Sequence, residues 1–269
     1  MHLTDTHCHL YFNDYHNDLE AVLDRAWEAG LEFILVPGID LETSRAALEL
    51  AETHPRVFAA VGVHPNSALT WTEGTLFALE ELAAHPKVVA IGEIGLDYYR
   101  DRSPRPLQRR IFRAQLQLAA RRGLPVVVHT RNASPEARDC IRDVLTLLRE
   151  ARPDLPSGRP GVIHSFSGNA EEAAQALTEG YYLGFTGPVT YKKAAQLRQM
   201  VAGVPSERLL VETDGPFLTP HPYRGRRNEP AYVRYIVDQI AVVQGRKPEE
   251  IAAATAQNAR HLFRWRELD

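Results

Sequence analysis

The chain of 269 residues has little cysteine and no long apolar run. Its two cysteines, Cys8 and Cys140, are too few for a disulfide framework, so a reduced compartment such as the cytoplasm is expected. No segment approaches the roughly 18 consecutive apolar residues of a membrane span, and the N-terminus does not resemble a secretory signal. These absences predict a soluble cytoplasmic protein with no membrane association, and no obligate protein partner is evident.

An excess of positive charge is also missing. Lysine and arginine together number 31 against 34 acidic residues, which gives a net charge of -3. This balance argues against a protein that coats nucleic acid through its overall field, so any phosphate recognition must be local. The glycine-rich phosphate loops of nucleotide-binding open sheets, G-x-G-x-x-G and G-x-x-x-x-G-K-[ST], do not occur either.

Short β-branched runs alternate with amphipathic segments along the whole chain. The strand candidates are HLTDTH near Thr4, LEFILVPG from Leu31, VFAAVGVH from Val57, VVAIGEIGL from Val88, LPVVVHT from Leu124, GVIHSFSG from Gly161, YYLGFTG from Tyr181 and RLLVETD from Arg208. Their nearly continuous apolar character is typical of parallel strands buried on both faces. Eight such units predict an α/β fold, a TIM (β/α)8 barrel forming one domain over residues 1–269, with a doubly wound open sheet as the alternative.

Three helices can be placed from spacing and caps. One is predicted from Asn17 to Ala29, a second after Asp40 as N-cap, and a third from Gln108 to Arg122 with Gly123 as its stop. Asn228 and Glu229 could cap a further helix that begins near Pro230.

Polar side chains gather where the apolar strands end. They are His7 and His9 after the first strand, His64 after the third, Glu93 in the fourth, His129 in the fifth, His164 in the sixth, and Glu212 with Asp214 in the eighth. In a TIM barrel these ends meet at one face, where active sites lie. The sequence therefore predicts a site at the carboxyl ends of the strands.

This set of imidazoles and carboxylates has the character of a metal site. His7 and His9 point the same way on a strand, whereas Cys8 points to the other face. A single strand-end histidine is more often structural than a ligand, but five together are harder to explain in that way. Histidine and carboxylate ligands suit Zn, Mn, Fe or Co, with Mg possible, and two ions sharing a carboxylate would use the whole set. Glu212 is expected to support the site from beneath.

Six blocks in order resemble the TatD-type metal-dependent deoxyribonucleases. They are DTHCHL at Asp5, GVHP at Gly62, IGEIGLDYY at Ile91, VVVHTR at Val126, VIHSFSG at Val162, and ETDGPFL with YRGRRNEP from Glu212 to Pro230. The resemblance implies a TIM barrel akin to the amidohydrolases. The sequence departs from the family pattern at Ser165, where cysteine is common, and at Tyr11, where aspartate is common.

The resemblance also implies roles for the strand-end residues. His7, His9 and Asp214 would hold one divalent metal, His129 and His164 a second, and Glu93 would bridge the two. Asp214 would orient or deprotonate the attacking water, and His64 would contact the scissile phosphate or lie beside it. The family suggests Mg in function, while the histidine content allows Mn or Zn.

These observations lead to a two-metal phosphodiesterase as the main hypothesis. The resemblance suggests 3′-5′ exonuclease digestion of single-stranded or frayed DNA, with a role in repair or degradation. Arg131, Arg224, Arg226 and Arg227 are candidates for phosphate contact, although any one of them could be an ordinary surface residue. Tyr98, Tyr99 and Phe217 could stack on bases or belong to the core.

Two other hypotheses use the same residues. A small-molecule hydrolase could open a lactone or an amide at the same metals, and a metal-stabilised binding protein would have no turnover. A candidate bridging acid together with a candidate base makes the last the weakest of the three.

Overall fold

A computed structural model describes residues 1–100 and 102–265. Eight parallel strands form one sheet whose spatial order follows the chain. They are β1 (Leu3–Asp5), β2 (Leu31–Pro37), β3 (Val57–Val61), β4 (Val88–Asp97), β5 (Val126–Arg131), β6 (Gly161–Ile163), β7 (Tyr182–Phe185) and β8 (Leu209–Val211). Each predicted strand segment contains or overlaps one of them. The predicted barrel is confirmed, because an open doubly wound sheet would reverse its strand order.

The first and last strands meet just beyond their carboxyl ends. The Thr6 amide donates to the Val211 carbonyl at 3.2 Å, and the His9 amide donates to Gly215 at 2.8 Å. The Asp214 amide donates to the His7 carbonyl at 2.8 Å. This seam nearly closes the barrel and fixes three polar residues against one another.

Nine helices in the described residues surround the strands. They are α1 (Leu19–Glu28), α2 (Leu41–Thr53), α3 (Thr75–Leu82), α4 (Arg105–Arg122), α5 (Asp139–Ala151), α6 (Ala170–Thr178), α7 (Ala195–Ala202), α8 (Val233–Gln244) and α9 (Pro248–Phe263). None of these helices is both long enough and apolar enough to cross a membrane.

The predicted helix boundaries are partly right. Asp40 caps α2, its carboxylate accepting from the Thr43 amide at 2.9 Å, and Gly123 ends α4 with a φ of 62°. Helix α1 begins at Leu19, two residues later than predicted. Helix α4 begins at Arg105, earlier than predicted, because Pro106 fits a first turn, where a missing N–H breaks no helical hydrogen bond.

Aromatic side chains fill the amino-terminal end of the barrel. Helix α9 packs against β1 and β8. After it, the Trp265 ring lies 5.3 Å from the Phe33 ring and 5.8 Å from the Phe58 ring, centroid to centroid. Since Phe33 and Phe58 stand near the starts of β2 and β3, aromatic rings close this end of the barrel, and the histidine and carboxylate cluster lies at the opposite end.

Candidate metal centre and substrate cleft

All six predicted metal ligands lie together at the carboxyl ends of the strands, with His64 beside them. Among the described residues, three groups bring possible ligand atoms within 4.8 Å of one another. They are His7, His9 and Asp214; His7, His164 and Glu212; and His64, Glu93 and His129. The barrel therefore assembles residues from six strand ends into one polar cluster.

One part of the cluster has the spacing of a single cation site. The Nε2 atoms of His7 and His9 are 3.2 Å apart, and both lie within 3.8 Å of Asp214 Oδ1. Glu93 Oε2 lies 3.4 Å from the His7 nitrogen and 3.7 Å from that of His9. Ligand atoms about 2.1 Å from a tetrahedral metal are about 3.4 Å apart. These four side chains therefore fit one divalent cation.

Tyr11 orients one of these ligands. His9 Nδ1 lies 2.8 Å from the Tyr11 hydroxyl and 3.2 Å from the Pro37 carbonyl. The hydroxyl in turn donates to the same carbonyl at 3.0 Å. With Nδ1 occupied, Nε2 faces the cluster, an arrangement typical of metal-binding histidines. The departure from the family pattern at Tyr11 thus places a neutral hydroxyl, which accepts from His9 Nδ1, where an acid is common.

In the second part of the cluster, His129 and His164, which are predicted to share a metal, contact different carboxylates. His129 Nδ1 lies 2.9 Å from Glu93 Oε1, and His64 Nε2 lies 3.6 Å from the same oxygen. His164 instead stacks on His7, with ring centroids 3.5 Å apart, and its Nδ1 lies 2.9 Å from Glu212. The His129 and His164 rings are 6.5 Å apart. Glu93 is the carboxylate common to both parts of the cluster.

Asp97 belongs to the site and was missed from sequence. This carboxylate, only 1% exposed, has one oxygen 3.2 Å from His129 Nε2. The same oxygen accepts from the Asn66 amide group at 3.0 Å, and the other accepts from the backbone amides of Tyr99 and Arg100 at 2.9 Å each. The rule that identifies Glu93, an acid in an apolar strand, applies to Asp97 equally, but the predicted strand ends one residue earlier than the observed one.

Four groups are held in the protonation states that bind cations. Burial lowers the pKa of His7, and it lowers that of His64 to about 3. Burial alone would raise the pKa of Glu93, but His64 and His7 hold it well below its usual range. The pKa of Asp214 is also low, because nearby histidines outweigh its burial. Neutral imidazoles and ionised carboxylates are the forms that ligate metal.

Two other histidines show that the cluster attracts positive charge. Burial would lower the pKa of His129, but hydrogen bonds to Asp97 and Glu93 raise it to about 9. In the same way Glu212 outweighs burial and raises the pKa of His164 to about 10. Three carboxylates, Asp97, Glu93 and Glu212, thus hold protons on two imidazoles. Divalent cations can replace those protons. The donor chemistry fits a metal centre.

The predicted arginines lie in different places. Arg131 lines the cavity of about 780 Å³ above the cluster. Arg227 instead forms two contacts with Asp18, at 2.6 and 2.7 Å. The Arg224 guanidinium lies 4.4 Å from the centre of the Tyr191 ring, and that of Arg226 lies 5.7 Å from the centre of the Tyr223 ring. Neither arginine lines the cavity. The cavity contains two arginines that sequence reasoning missed, on the loop after β4, at positions 100 and 102.

Asn228, a predicted helix cap after β8, holds a loop in place instead. Asn228 does not cap the following turn; its side-chain amide donates to the carbonyls of Thr213 and Phe217, at 2.8 and 2.6 Å. It therefore fixes the loop that carries Asp214. Phe217 lies at the cavity mouth, 54% exposed, whereas Tyr98 is buried.

Comparisons with known proteins agree with this geometry. The profile described as TatD related DNase matches residues 4–264. The chain is 45% identical over 262 residues to the "Uncharacterized metal-dependent hydrolase YabD" of Bacillus subtilis, covering 97% of this chain and 99% of the relative. It is 39% identical over 265 residues to the "3'-5' ssDNA/RNA exonuclease TatD" of Erwinia tasmaniensis, covering 96% and 98%. The crystal structure of YJJV, a TatD homolog from Escherichia coli K12, superposes with a TM-score of 0.89 at 32% identity, covering 98% of both chains.

Proposed function

The chain belongs to the family of TatD-related DNases, and we propose that it removes nucleotides from the 3′ end of single-stranded or frayed DNA. The observation that carries this proposal is the buried cluster of histidines and carboxylates at the floor of an open cleft. Relatives of nearly equal length are named metal-dependent hydrolase and 3′-5′ exonuclease, which supports hydrolysis of a nucleic acid.

The proposed metal ligands follow from the donor spacing and the family. His7, His9 and Asp214 are assigned to one divalent cation, with Glu93 shared with a second. The second is assigned to His129 and His164. His64 Nε2 lies 3.6 Å from the Glu93 oxygen that His129 contacts. Mg is proposed in function, with Mn or Zn able to bind the same donors. Bound divalent cations would lower the pKa of water and offset charge on phosphate oxygens.

The protein's own residues have separable tasks in this proposal. The Asp214 side chain is 16% exposed against 4% for Glu93, so Asp214 is the carboxylate that can meet water in the cleft. It is proposed to orient that water and accept its proton. His64 lines the cleft, and its Nδ1 accepts the Asn66 amide at 3.0 Å, so Nε2 carries the hydrogen and can donate to a phosphate oxygen. Arg131 is proposed to bind a phosphate beside it.

A time course on a 5′-labelled single-stranded oligonucleotide with Mg or Mn tests the proposal. Wild type should produce a ladder that shortens stepwise from the 3′ end, and both Glu93→Ala and chelation should abolish it. Glu172→Gln is the matched control, because Glu172 is a buried carboxylate in the capping box of α6 and is not one of the residues that form the cluster. Retained nuclease activity in Glu93→Ala would reject the assigned site.

The same preparation separates the alternative activity. Intact oligonucleotide together with turnover of lactones or amides, at matched metal, would favour the small-molecule hydrolase. The proposed cellular setting is a reduced compartment such as the cytoplasm, in DNA repair or degradation. The free thiols of Cys8 and Cys140 support a reduced setting.

A further inference from the structure

The cleft has two unlike sides, and the strand order places them opposite each other. Arg100 and Arg102 line it from the loop after β4, and Arg131 lines it at the carboxyl end of β5. Phe12 and Phe217 line it beyond the ends of β1 and β8. In an eight-stranded barrel with sequential order, β4 and β5 lie across from β8 and β1. We call these the arginine side and the phenylalanine side.

No described carboxylate pairs with the arginines of the arginine side. Other arginines on neighbouring α4 are paired: Arg105 contacts Asp139 at 2.6 Å, and Arg109 contacts Asp143 at 2.9 Å. Three guanidinium groups facing one cleft without such a partner in the described residues form a local cationic surface in a chain of net charge -3. Phosphates are the natural ligands of such groups.

The arginine side is attached to the metal cluster. The Asp97 carboxylate that contacts His129 also accepts the backbone amides of Tyr99 and Arg100. The Arg131 guanidinium lies 4.0 Å from the centre of the Tyr99 ring. Backbone and stacking contacts therefore hold Tyr99, Arg100 and Arg131 in place relative to the cluster before any substrate binds.

The phenylalanine side offers an aromatic surface. The Phe217 ring is 54% exposed and lies 5.9 Å from the Phe12 ring, which lies 5.2 Å from that of His9. The Phe217 backbone is held at both ends, by its own amide to the Asp214 carbonyl at 2.9 Å and by Asn228 at 2.6 Å. A large exposed aromatic ring on a fixed backbone is suited to stack on a base.

We propose that the phenylalanine side binds the 3′-terminal nucleoside and the arginine side binds the phosphates of the continuing strand. This assignment rests on the proposed exonuclease function. Beyond the scissile phosphate, the terminal nucleoside carries no further phosphate, so an uncharged aromatic surface suits it. The strand on the other side carries one phosphate per nucleotide, so three cations suit it. The cluster between the two sides then meets the last phosphodiester bond.

The base contact is tested by comparing a normal 3′ end with an abasic one. In wild type, loss of the terminal base should lower kcat/KM by about 5- to 150-fold, the usual effect of one stacked base. Phe217→Ala should lower kcat/KM on the normal end by a similar factor and cause little further loss on the abasic end. Phe77→Ala, which removes another exposed ring (66%) on α3, should change neither. If the losses from Phe217→Ala and from base removal multiply, the assignment is overturned.

The phosphate contacts are tested by salt dependence. Each phosphate contact on a single strand contributes a slope of about -0.7 in log affinity against log salt. Replacing Arg100, Arg102 and Arg131 by alanine should make the slope of 1/KM shallower by about 2 units. Alanine at Arg110, Arg113 and Arg121, exposed on α4, changes the net charge equally and should leave the slope at its wild-type value. Equal slopes in the two triple variants would overturn the assignment.

The proposed exonuclease function and the two-sided assignment of the cleft are rejected by different results. If metal-loaded wild type leaves single-stranded DNA intact, the proposed function fails. If wild type shortens DNA stepwise but the abasic or salt comparison gives the contrary result, only the two-sided assignment fails.

Discussion

Asp97 provides a sharp test of how the site is built, because one carboxylate serves four donors. It accepts hydrogen bonds from the backbone amides of Tyr99 and Arg100 and from the side chain of Asn66. One of its oxygens also lies 3.2 Å from His129 Nε2. Its pKa is held below the usual range, because hydrogen bonding and charge from His129 outweigh burial. We predict that Asp97→Ala weakens the fold and the activity together.

The size of the effect follows from these contacts. Removing one partner of a buried ion pair costs about 3–5 kcal/mol, because the other is left uncompensated. At about 2–3 °C per kcal/mol for a chain of this size, the melting temperature should fall by about 6–15 °C. Asp97→Asn keeps one oxygen for the two backbone amides but turns an amide group towards Asn66 or His129. Its cost should be about 1–3 kcal/mol.

Thermal unfolding and exonuclease kinetics measure both effects. Loss of a residue that orients the histidine proposed to bind metal should lower metal affinity or activity by about 10- to 100-fold beyond any loss of folded protein. Asp139→Ala is the control, because Asp139 forms an exposed pair with Arg105 that should contribute less than about 1 kcal/mol. If Asp97→Ala has the same melting temperature as Asp139→Ala and keeps wild-type kcat/KM, the positioning argument is refuted.

Three further predictions address the seam, the thiols and the segment after β8. Burial raises the pKa of Asp5 from 3.8 to about 7, so the folded state binds this proton more tightly than the unfolded state. The stability gained from binding this proton is fully present below pH 3.8 and is lost as the pH rises to about 7. Asp5 accepts from the Thr213 hydroxyl across the seam, and the side-chain amide of an asparagine at this position can donate to that hydroxyl instead. In chelator, Asp5→Asn should therefore gain stability relative to wild type between pH 4 and 8, by at most about 4 kcal/mol. A stability difference between variant and wild type that does not change with pH would contradict this. Burial raises the pKa of Cys8 well above its usual value and that of Cys140 to about 11, so a disulfide reagent should titrate both thiols only after denaturation. Arg227→Ala should cost about 1 kcal/mol in urea unfolding and leave the salt slope of KM unchanged, because Arg227 is paired with a carboxylate; a shallower slope would instead place it on the substrate.

The fold and most of the cluster could be predicted because both depend on local pattern. Continuous apolar runs identify parallel strands, and in a barrel the polar residue after each run must face the same mouth. The hydrogen-bond and stacking partners within the cluster could not be predicted, since they depend on which way each ring turns. His164 turns towards His7 and Glu212, while His129 lies between Glu93 and Asp97.

The arginines show why nearness in sequence is a poor guide to a binding surface. The block YRGRRNEP places three arginines within four positions, yet this segment ties β8 to the first helix. Arg227 pairs with Asp18, and neighbouring Glu229 accepts from Arg25 at 2.7 Å. A cation already matched by a carboxylate has less to gain from a phosphate, whereas Arg131 has no such described partner and faces the cleft. Phosphate binding is therefore better sought at two places separated along the chain, the loop after β4 and the carboxyl end of β5, than on the arginine-rich block itself.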